Sequence, residues 1–447
     1  MLDLYTLMEP LILIGIFTVI FLITGYYIWR RDSLYGLIYL FLFVYIIFAQ
    51  IGYVYFPALS ELMMAYFGQS VFYDVNIFVT LSFVSFFFAF YFLYSYVVRC
   101  PAYKVVSSLP RLNIIFYIAV IGHIIFITLY LYSNYDLISY VNAYDPVFQS
   151  SQGLLFIIFG IAFKQSVAVN IILYFMLRVK TRNAPHINRT IVLILSLLEL
   201  TLFVIVSLKL GNRTDPISMM LGITFIEVGV IRGAQNKLIN IFTLILVMGV
   251  LLYGLIMIES GRSQEETQAG SFAEKILSQD YYAPSHILIA AMGLQFVDPV
   301  EVIASNSANA FILLKYPYLQ EIVTEKFNPG IATRSTGYAF YLFSEGYLAL
   351  GRFGFIYNGL VVFLGVSLWR RLSHSNNNYY NLFMLSLVAT QAVNIVRGQS
   401  SYFIKNIYII FFPAMFLFFL GTGLLPWIGS RIKKNSPAVI LQPSSIK

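Results

Sequence analysis

The 447 residues carry 28 Lys and Arg against 20 Asp and Glu, a formal net charge of +8, yet only 11% of the chain is charged while 59% is hydrophobic and 17% aromatic. No water-facing surface can be built from that balance without aggregating, so a soluble globular protein is excluded and a bilayer is the natural solvent. The basic excess would point to nucleic acid in a soluble chain, but here it sits mostly in loops between apolar runs and reports orientation, so no nucleic-acid partner is expected.

Apolar runs of about 17 to 25 residues recur between short polar turns, the length an α-helix needs to cross ~30 Å of hydrocarbon. Alternating ten-residue strands are absent, which argues against a barrel. In chain order, spans are predicted near 8–29, 34–55, 76–98, 113–132, 154–177, 191–210, 216–231, 238–258, 353–370, 380–396 and 403–427. No basic segment precedes the first run and no small-residue cleavage site follows it, so it reads as a retained span. The expected fold class is all-α: a polytopic membrane protein with about eleven transmembrane helices and one large extracytoplasmic loop between the eighth and ninth. The chain divides into eight helices over 1–258, a partly helical loop over 259–352, three helices over 353–430 and a cytoplasmic tail over 431–447.

Lys and Arg assign the faces. One set of loops holds Arg30 and Arg31, then Arg99, Lys104 and Arg111, then Arg178, Lys180, Arg182 and Arg189, then Arg232, Lys237, Arg370 and Arg371, and finally Arg431, Lys433 and Lys434. That side is cytoplasmic by the positive-inside rule, which puts the N-terminus outside and the C-terminus inside. The opposite loops at 56–75 and 133–153 contain no Lys or Arg. The single cysteine, Cys100, excludes an intramolecular disulfide.

The long outer segment holds most of the polar chemistry outside the spans, and its size makes it functional by default. Val300 to Phe327 has helical spacing interrupted only by Pro317, whereas Gln279 to Ser285 and Asn328 to Ser335 read as loop. No internal repeat is evident, against the transporter folds built from duplicated halves.

Outer-face cations break the charge pattern: Arg213, Arg262, Lys275, Lys315, Lys326, Arg334, Arg352, Arg397 and Lys405. Arg213 lies in the tight turn Gly211-Asn212-Arg213-Thr214-Asp215-Pro216, and Arg397 in Arg397-Gly398-Gln399-Ser400-Ser401. Both turns fall near the outer headgroup level, where guanidinium forks match the oxygens of a lipid-linked diphosphate. Anchoring of helix ends to lipid phosphates is the competing use of the same residues.

Arg334 opens Arg334-Ser335-Thr336-Gly337-Tyr338, followed by Ser344-Glu345-Gly346-Tyr347 and Gly351-Arg352-Phe353-Gly354, where glycines permit close approach or sharp turns at the return into the membrane. A helix there buries Glu345, either as a general base or as the partner of an arginine. His286 is the one outer-side histidine, an acid or base near neutral pH or simply an exposed side chain. Within the spans lie His123, Lys164, Glu199 and Glu227; Lys164 and Glu199 are a candidate pair, or members of a proton relay. Metal-ligand spacing, phosphate-cradling Gly-Lys loops and nucleophile elbows are missing, so neither metal nor cofactor is expected.

In layout the chain resembles the Wzy-type O-antigen polymerases, the oligosaccharide repeat unit polymerases. The resemblance rests on the span count, the late outer loop, the Gly-Asn-Arg turn at 211–213, the Arg334 to Gly354 return and Arg397-Gly398. It implies a metal-independent glycosyltransferase of the bacterial cytoplasmic (inner) membrane that polymerises undecaprenyl-diphosphate-linked repeat units into a surface polysaccharide. Membrane lipids, a flippase and a chain-length regulator are the implied partners. On that reading Arg213, Arg334, Arg397 and Arg262 bind the diphosphate, Glu345 is the first candidate base and His286 the second. Tyr281, Tyr282 and Tyr338 are candidates to line the saccharide groove. An O-antigen ligase, which would rely on His286, and a lipid-linked oligosaccharide flippase are the alternatives.

Overall fold

A computed structural model describes residues 4–31, 36, 39, 42–43, 69–92, 114–133, 135, 138, 154–178, 189–210, 214–227, 246, 249, 288, 291–292, 298–310, 317–327, 342–373, 399–401, 405, 413 and 416. These residues are almost entirely helical, with no strand among them. The helices are α1 (Leu4–Arg31), α2 (Gln69–Phe92), α3 (Ile114–Ser133), α4 (Leu154–Arg178), α5 (Arg189–Lys209), α6 (Thr214–Ile226), α7 (Pro299–Ala310), α8 (Leu319–Phe327), α9 (Leu342–Leu350) and, after a 3₁₀ turn at Gly351–Phe353, α10 (Gly354–Ser373).

Four stretches are long and apolar enough to cross a membrane: Ile114–Ser133, Ile158–Leu177, Arg189–Lys209 and Leu342–Leu364. On α3 and α5 one side is buried while the other leaves large aliphatic side chains open, with Ile118 61% and Leu197 57% exposed. Such continuous apolar faces are stable only against lipid, and the chain is a helical membrane protein. The expected spans at 113–132, 154–177 and 191–210 agree with α3, α4 and α5 to within two residues. The span at 380–396 and most of those at 34–55, 238–258 and 403–427 lie outside the described residues.

One core joins α3, α4, α5 and α6, where Phe163 stacks on Phe203 at 5.4 Å between centroids and Ile127, Tyr130, Val167, Ile171 and Val206 close around them. A second core involves α2, α7, α8, α9 and α10. Ala291, Val302, Leu319, Ile322, Val323, Leu348 and Ala349 are buried together there.

One boundary differs from expectation. Helix α2 starts at Gln69, inside the segment read as outer loop 56–75, because Ser70, Asp74 and Asn76 interrupt the hydropathy without interrupting the helix. The ninth span is preceded by α9, a separate helix that turns back on α10. Gly351 makes the reversal with φ +58°, a conformation that favours glycine. Gly346 and Gly354 then meet so closely that a Cβ on Gly354 would fall 2.1 Å from the Gly346 carbonyl oxygen. The apolar stretch Leu342–Leu364 is therefore long enough to span but folded rather than straight, and α9 alone covers only ~13 Å.

Neighbours on α2 give its direction. Phe343 lies edge-on to Phe86 at 5.2 Å and Tyr347 to Phe78 at 5.4 Å, so α9 runs antiparallel to α2. Helix α10 runs parallel to it. Asn358 Nδ2 donates to Ser82 Oγ at 3.1 Å, Ser85 Oγ donates to the Phe355 carbonyl at 2.6 Å, and Arg352 lies 3.9 Å from Asp74 at the common end. Glu345, between Phe343 and Tyr347, is thus level with about Ser82, some 12 Å below Asp74. Helix α9 and the start of α10 thus form a hairpin packed along α2.

Candidate functional site

The Glu345 side chain is fully buried, and every partner given for its carboxylate can donate. Asn306 Nδ2 of α7 donates to Oε1 at 2.8 Å, and Ser400 Oγ to the same oxygen at 2.6 Å. The Tyr357 hydroxyl of α10 also donates to Oε1, and the Ser400 backbone N–H to Oε2 at 2.7 Å. One carboxylate thus ties α9 to α7, to α10 and to the Gln399–Ser401 strap. Among the described residues no cation touches it, so the arginine partner open on sequence grounds is not found there. Its enclosure also prevents direct contact with a substrate hydroxyl. Ser400 and Tyr357, both only partly buried, are the hydroxyls through which a proton can reach it.

The strap is bonded to the helices of the 259–352 segment. Gln399 Oε1 accepts the Leu319 backbone N–H at 2.9 Å, and its Nε2 donates to Ser401 Oγ at 2.6 Å. Pro317 lies two residues before α8, where its missing N–H and fixed φ suit the start of a helix. Its carbonyl is taken by Ser305 Oγ at 2.8 Å and Asn309 Nδ2 at 3.3 Å. Tyr318 begins α8, where Glu321 Oε2 caps its backbone N–H at 3.0 Å. Beside the strap, Lys405 Nζ donates to the Tyr318 hydroxyl and lies 4.9 Å from that ring's centroid. Lys164 of α4, an exposed side chain, also acts on this phenol. Burial holds the phenol above its ordinary range, against the pull of Lys164 and with the push of Glu321, so it is a neutral donor at physiological pH.

Sequence reasoning had offered Glu199 to Lys164; the structure gives it to His123 instead. His123 Nδ1 lies 3.1 Å from Oε1 and 3.2 Å from Oε2 of Glu199, joining α3 to α5. His123 Nε2 faces the Ala162 carbonyl of α4 at 2.8 Å, and since a carbonyl only accepts, Nε2 carries a hydrogen. The Nδ1–carboxylate contact then holds one proton, supplied by either partner, and the pair is neutral overall in the membrane. The physical reason for the correction is helical phase: Ala162 and Phe163 face α3 and α5, and Lys164 is carried round to the other side. Glu227, the remaining intramembrane carboxylate, accepts from Tyr174 OH at 3.2 Å.

Of the cations expected on the outer face, Lys326 pairs with Glu301 at 3.4 Å, and Arg352 faces Asp74, both at the surface, where such pairs contribute little. Lys405 alone of these three turns inward. Arg213, Arg262, Arg334, Arg397 and His286 lie outside the described residues, as do Tyr281, Tyr282 and Tyr338. The functional candidates that sequence reasoning passed over are Asn306, Tyr357, Ser400 and Lys405. Only Lys405 had a signal, as a cation on the side expected to carry few.

A helical membrane protein with a buried, carboxylate-centred polar cluster is the class these features define. Comparison with protein-family models, with curated proteins and with solved structures gives no match to this chain.

Proposed function

We propose that this protein is a glycosyltransferase that polymerises undecaprenyl-diphosphate-linked oligosaccharide repeat units on the outer leaflet of a bacterial cytoplasmic membrane. The observation that carries this reading is a buried carboxylate on α9, hydrogen-bonded to two hydroxyls, beside an inward-turned lysine. A polyprenyl-borne sugar reaches such a place from the membrane without nucleotide or metal.

In the reaction, an acceptor sugar hydroxyl attacks the anomeric carbon of the donor glycan. The bond from that carbon to the carrier diphosphate breaks, and its electron pair leaves with the diphosphate. The acceptor proton passes to Ser400 Oγ as the serine's own proton passes to Glu345 Oε1, so the carboxylate is the eventual acceptor. Developing charge on the diphosphate demands fixed cations, the role assigned to Arg213, Arg334, Arg397 and Arg262. Arg397 is two residues before Gln399 and so adjoins the strap in the chain. His286 remains the alternative base.

The glycan ladder of a deletion strain, complemented with variants, tests the reading. A polymerase leaves single repeats on the lipid acceptor when lost, whereas a ligase leaves long glycan on the carrier. Glu345→Gln and Ser400→Ala should each collapse the ladder to single repeats while the protein remains in the membrane. A normal ladder in the deletion strain itself would end the proposal.

A further inference from the structure

Helix α7 belongs to the 259–352 segment, which the sequence predicts to be an extracytoplasmic loop, yet its open side is apolar. Val300 is 71% exposed and Ile303 61%, and the next turn on that side adds only the neutral Ser307. These three fall within about 60° of one another around the helix axis. The opposite side, with Val302, Ser305 and Asn309, is buried against α9 and the start of α8. Helix α8 differs, because its exposed positions among the described residues are Glu321, Glu325 and Lys326, all charged.

The bonds of α7 set its level in the fold. Asn306 Nδ2 holds Glu345 Oε1, while Val302, one turn earlier, shares a core with Leu348 and Ala349, one turn later on α9. Helix α7 therefore runs antiparallel to α9, and Val300 and Ile303 are level with the end of α9 and the Gly351–Phe353 turn. At that turn begins the open stripe of α10, Phe353, Ile356, Leu360 and Leu364, which lies within a stretch long and apolar enough to cross a membrane. Asn306, by way of Glu345, is level with Ser82 and hence with its partner Asn358, between Ile356 and Leu360 of that stripe. The open side of α7 thus occupies the same depth as a lipid-facing surface.

We propose that the Val300–Ile303 face of α7 is seated in the acyl chains of the bilayer, which makes this helix a lipid-facing wall of the Glu345 cluster and not part of a loop in water. Lipid is the occupant because the face carries no charge and continues the level of the α10 stripe, while the exposed charges of the segment fall on α8. Asn306 stands about 60° round the helix from Ile303, partly open on the lipid side and bonded to Glu345 on the other. The cluster is then approached from the leaflet, the direction from which the carrier-linked donor proposed above would come. Only that last consequence rests on the polymerase reading.

The full chain, with Cys100→Ser removing its one native thiol, is given single cysteines by Val300→Cys, Ile303→Cys and Glu325→Cys. Each is labelled with a nitroxide and reconstituted in vesicles of phosphatidylcholine and phosphatidylglycerol. Collision of the label with oxygen, which concentrates among acyl chains, is compared with collision with a neutral nickel chelate, which stays in water. At 300 and 303 oxygen should relax the label about threefold more than the chelate or better, and at 325 the order should reverse. Stronger relaxation by the chelate at 300 and 303 puts the face in water and overturns the proposal. An immobile label that neither reagent reaches puts protein there, a second copy or another chain, and overturns it equally. All three positions are exposed, so an unchanged unfolding temperature is expected; either of 300 and 303 decides if the other variant does not fold, and Cys100→Ala replaces the serine if that background fails. Glycan synthesis does not enter this measurement, so a normal ladder in the deletion strain sinks polymerisation and leaves the seating of α7 standing.

Discussion

Removing the acceptor at Glu345 separates its structural from its chemical role. Glu345→Ala strips four donated hydrogen bonds at once. The hydroxyls of Tyr357 and Ser400 can turn to other acceptors and Asn306 is partly open, but the Ser400 backbone N–H cannot rotate. Leaving one or two buried donors unpaired at about 1–3 kcal/mol each, with a cavity in addition, predicts a loss of roughly 3–6 kcal/mol. Glu345→Gln differs. Its amide oxygen can keep the Ser400 N–H while its amide nitrogen faces the Oε1 side, where Asn306 can flip and present the Oδ1 that now has no partner. Both hydroxyls can reverse as well, so Gln should cost no more than ~1 kcal/mol while abolishing proton acceptance. Thermal unfolding in detergent, followed by size-exclusion fluorescence, measures the first effect, and the glycan ladder the second. The reasoning fails if Ala unfolds at the wild-type temperature, or if Gln is as destabilised as Ala.

Other consequences are independent of that carboxylate. Gly346→Ala would place a Cβ 2.2 Å from Asn358 Oδ1 and 2.5 Å from the Gly354 carbonyl oxygen, so folding should suffer by ~3 kcal/mol or more, seen as loss of monodisperse protein. Gly351→Ala meets nothing within 4 Å but inherits φ +58°, and should lower stability by only ~1–2 kcal/mol in the same assay. Glu199→Ala, which strands His123, should lower the unfolding temperature by an amount equivalent to ~3–5 kcal/mol, and adding His123→Ala should cost much less than a second such loss. Lys164→Ala should leave that temperature unchanged; a drop equal to that of Glu199→Ala would restore the lysine as the glutamate's partner. Tyr318 carries a pH prediction: its folded pKa is raised, so its contribution is complete below the unfolded tyrosine value near 10 and is lost as pH rises past it. Wild type should lose stability relative to Tyr318→Phe above about pH 10, and parallel curves would contradict the burial of that phenol.

The apolar runs alone determined that this is a helical membrane protein, because the bilayer imposes a length on each crossing and forbids unpaired backbone within it. The same local rule located α3, α4 and α5. The glycines at 346, 351 and 354 announced a tight turn at the return to the membrane, and Glu345 was legible as a carboxylate that such a turn would bury. What surrounds that carboxylate was not legible. Asn306, Tyr357 and Ser400 are ordinary polar residues spread over almost a hundred positions, and hydropathy has no memory of distance in space. Pairing in the bundle was equally beyond it: Lys164 and Glu199 match in charge and depth, but one hundred degrees of rotation per residue separates Lys164 from Ala162, and only packed helices decide which face meets which. The sequence therefore told where charge enters the membrane, and the tertiary structure decided which charges neutralise one another, Glu199 with His123, and which lysine, Lys405, meets the Tyr318 phenol.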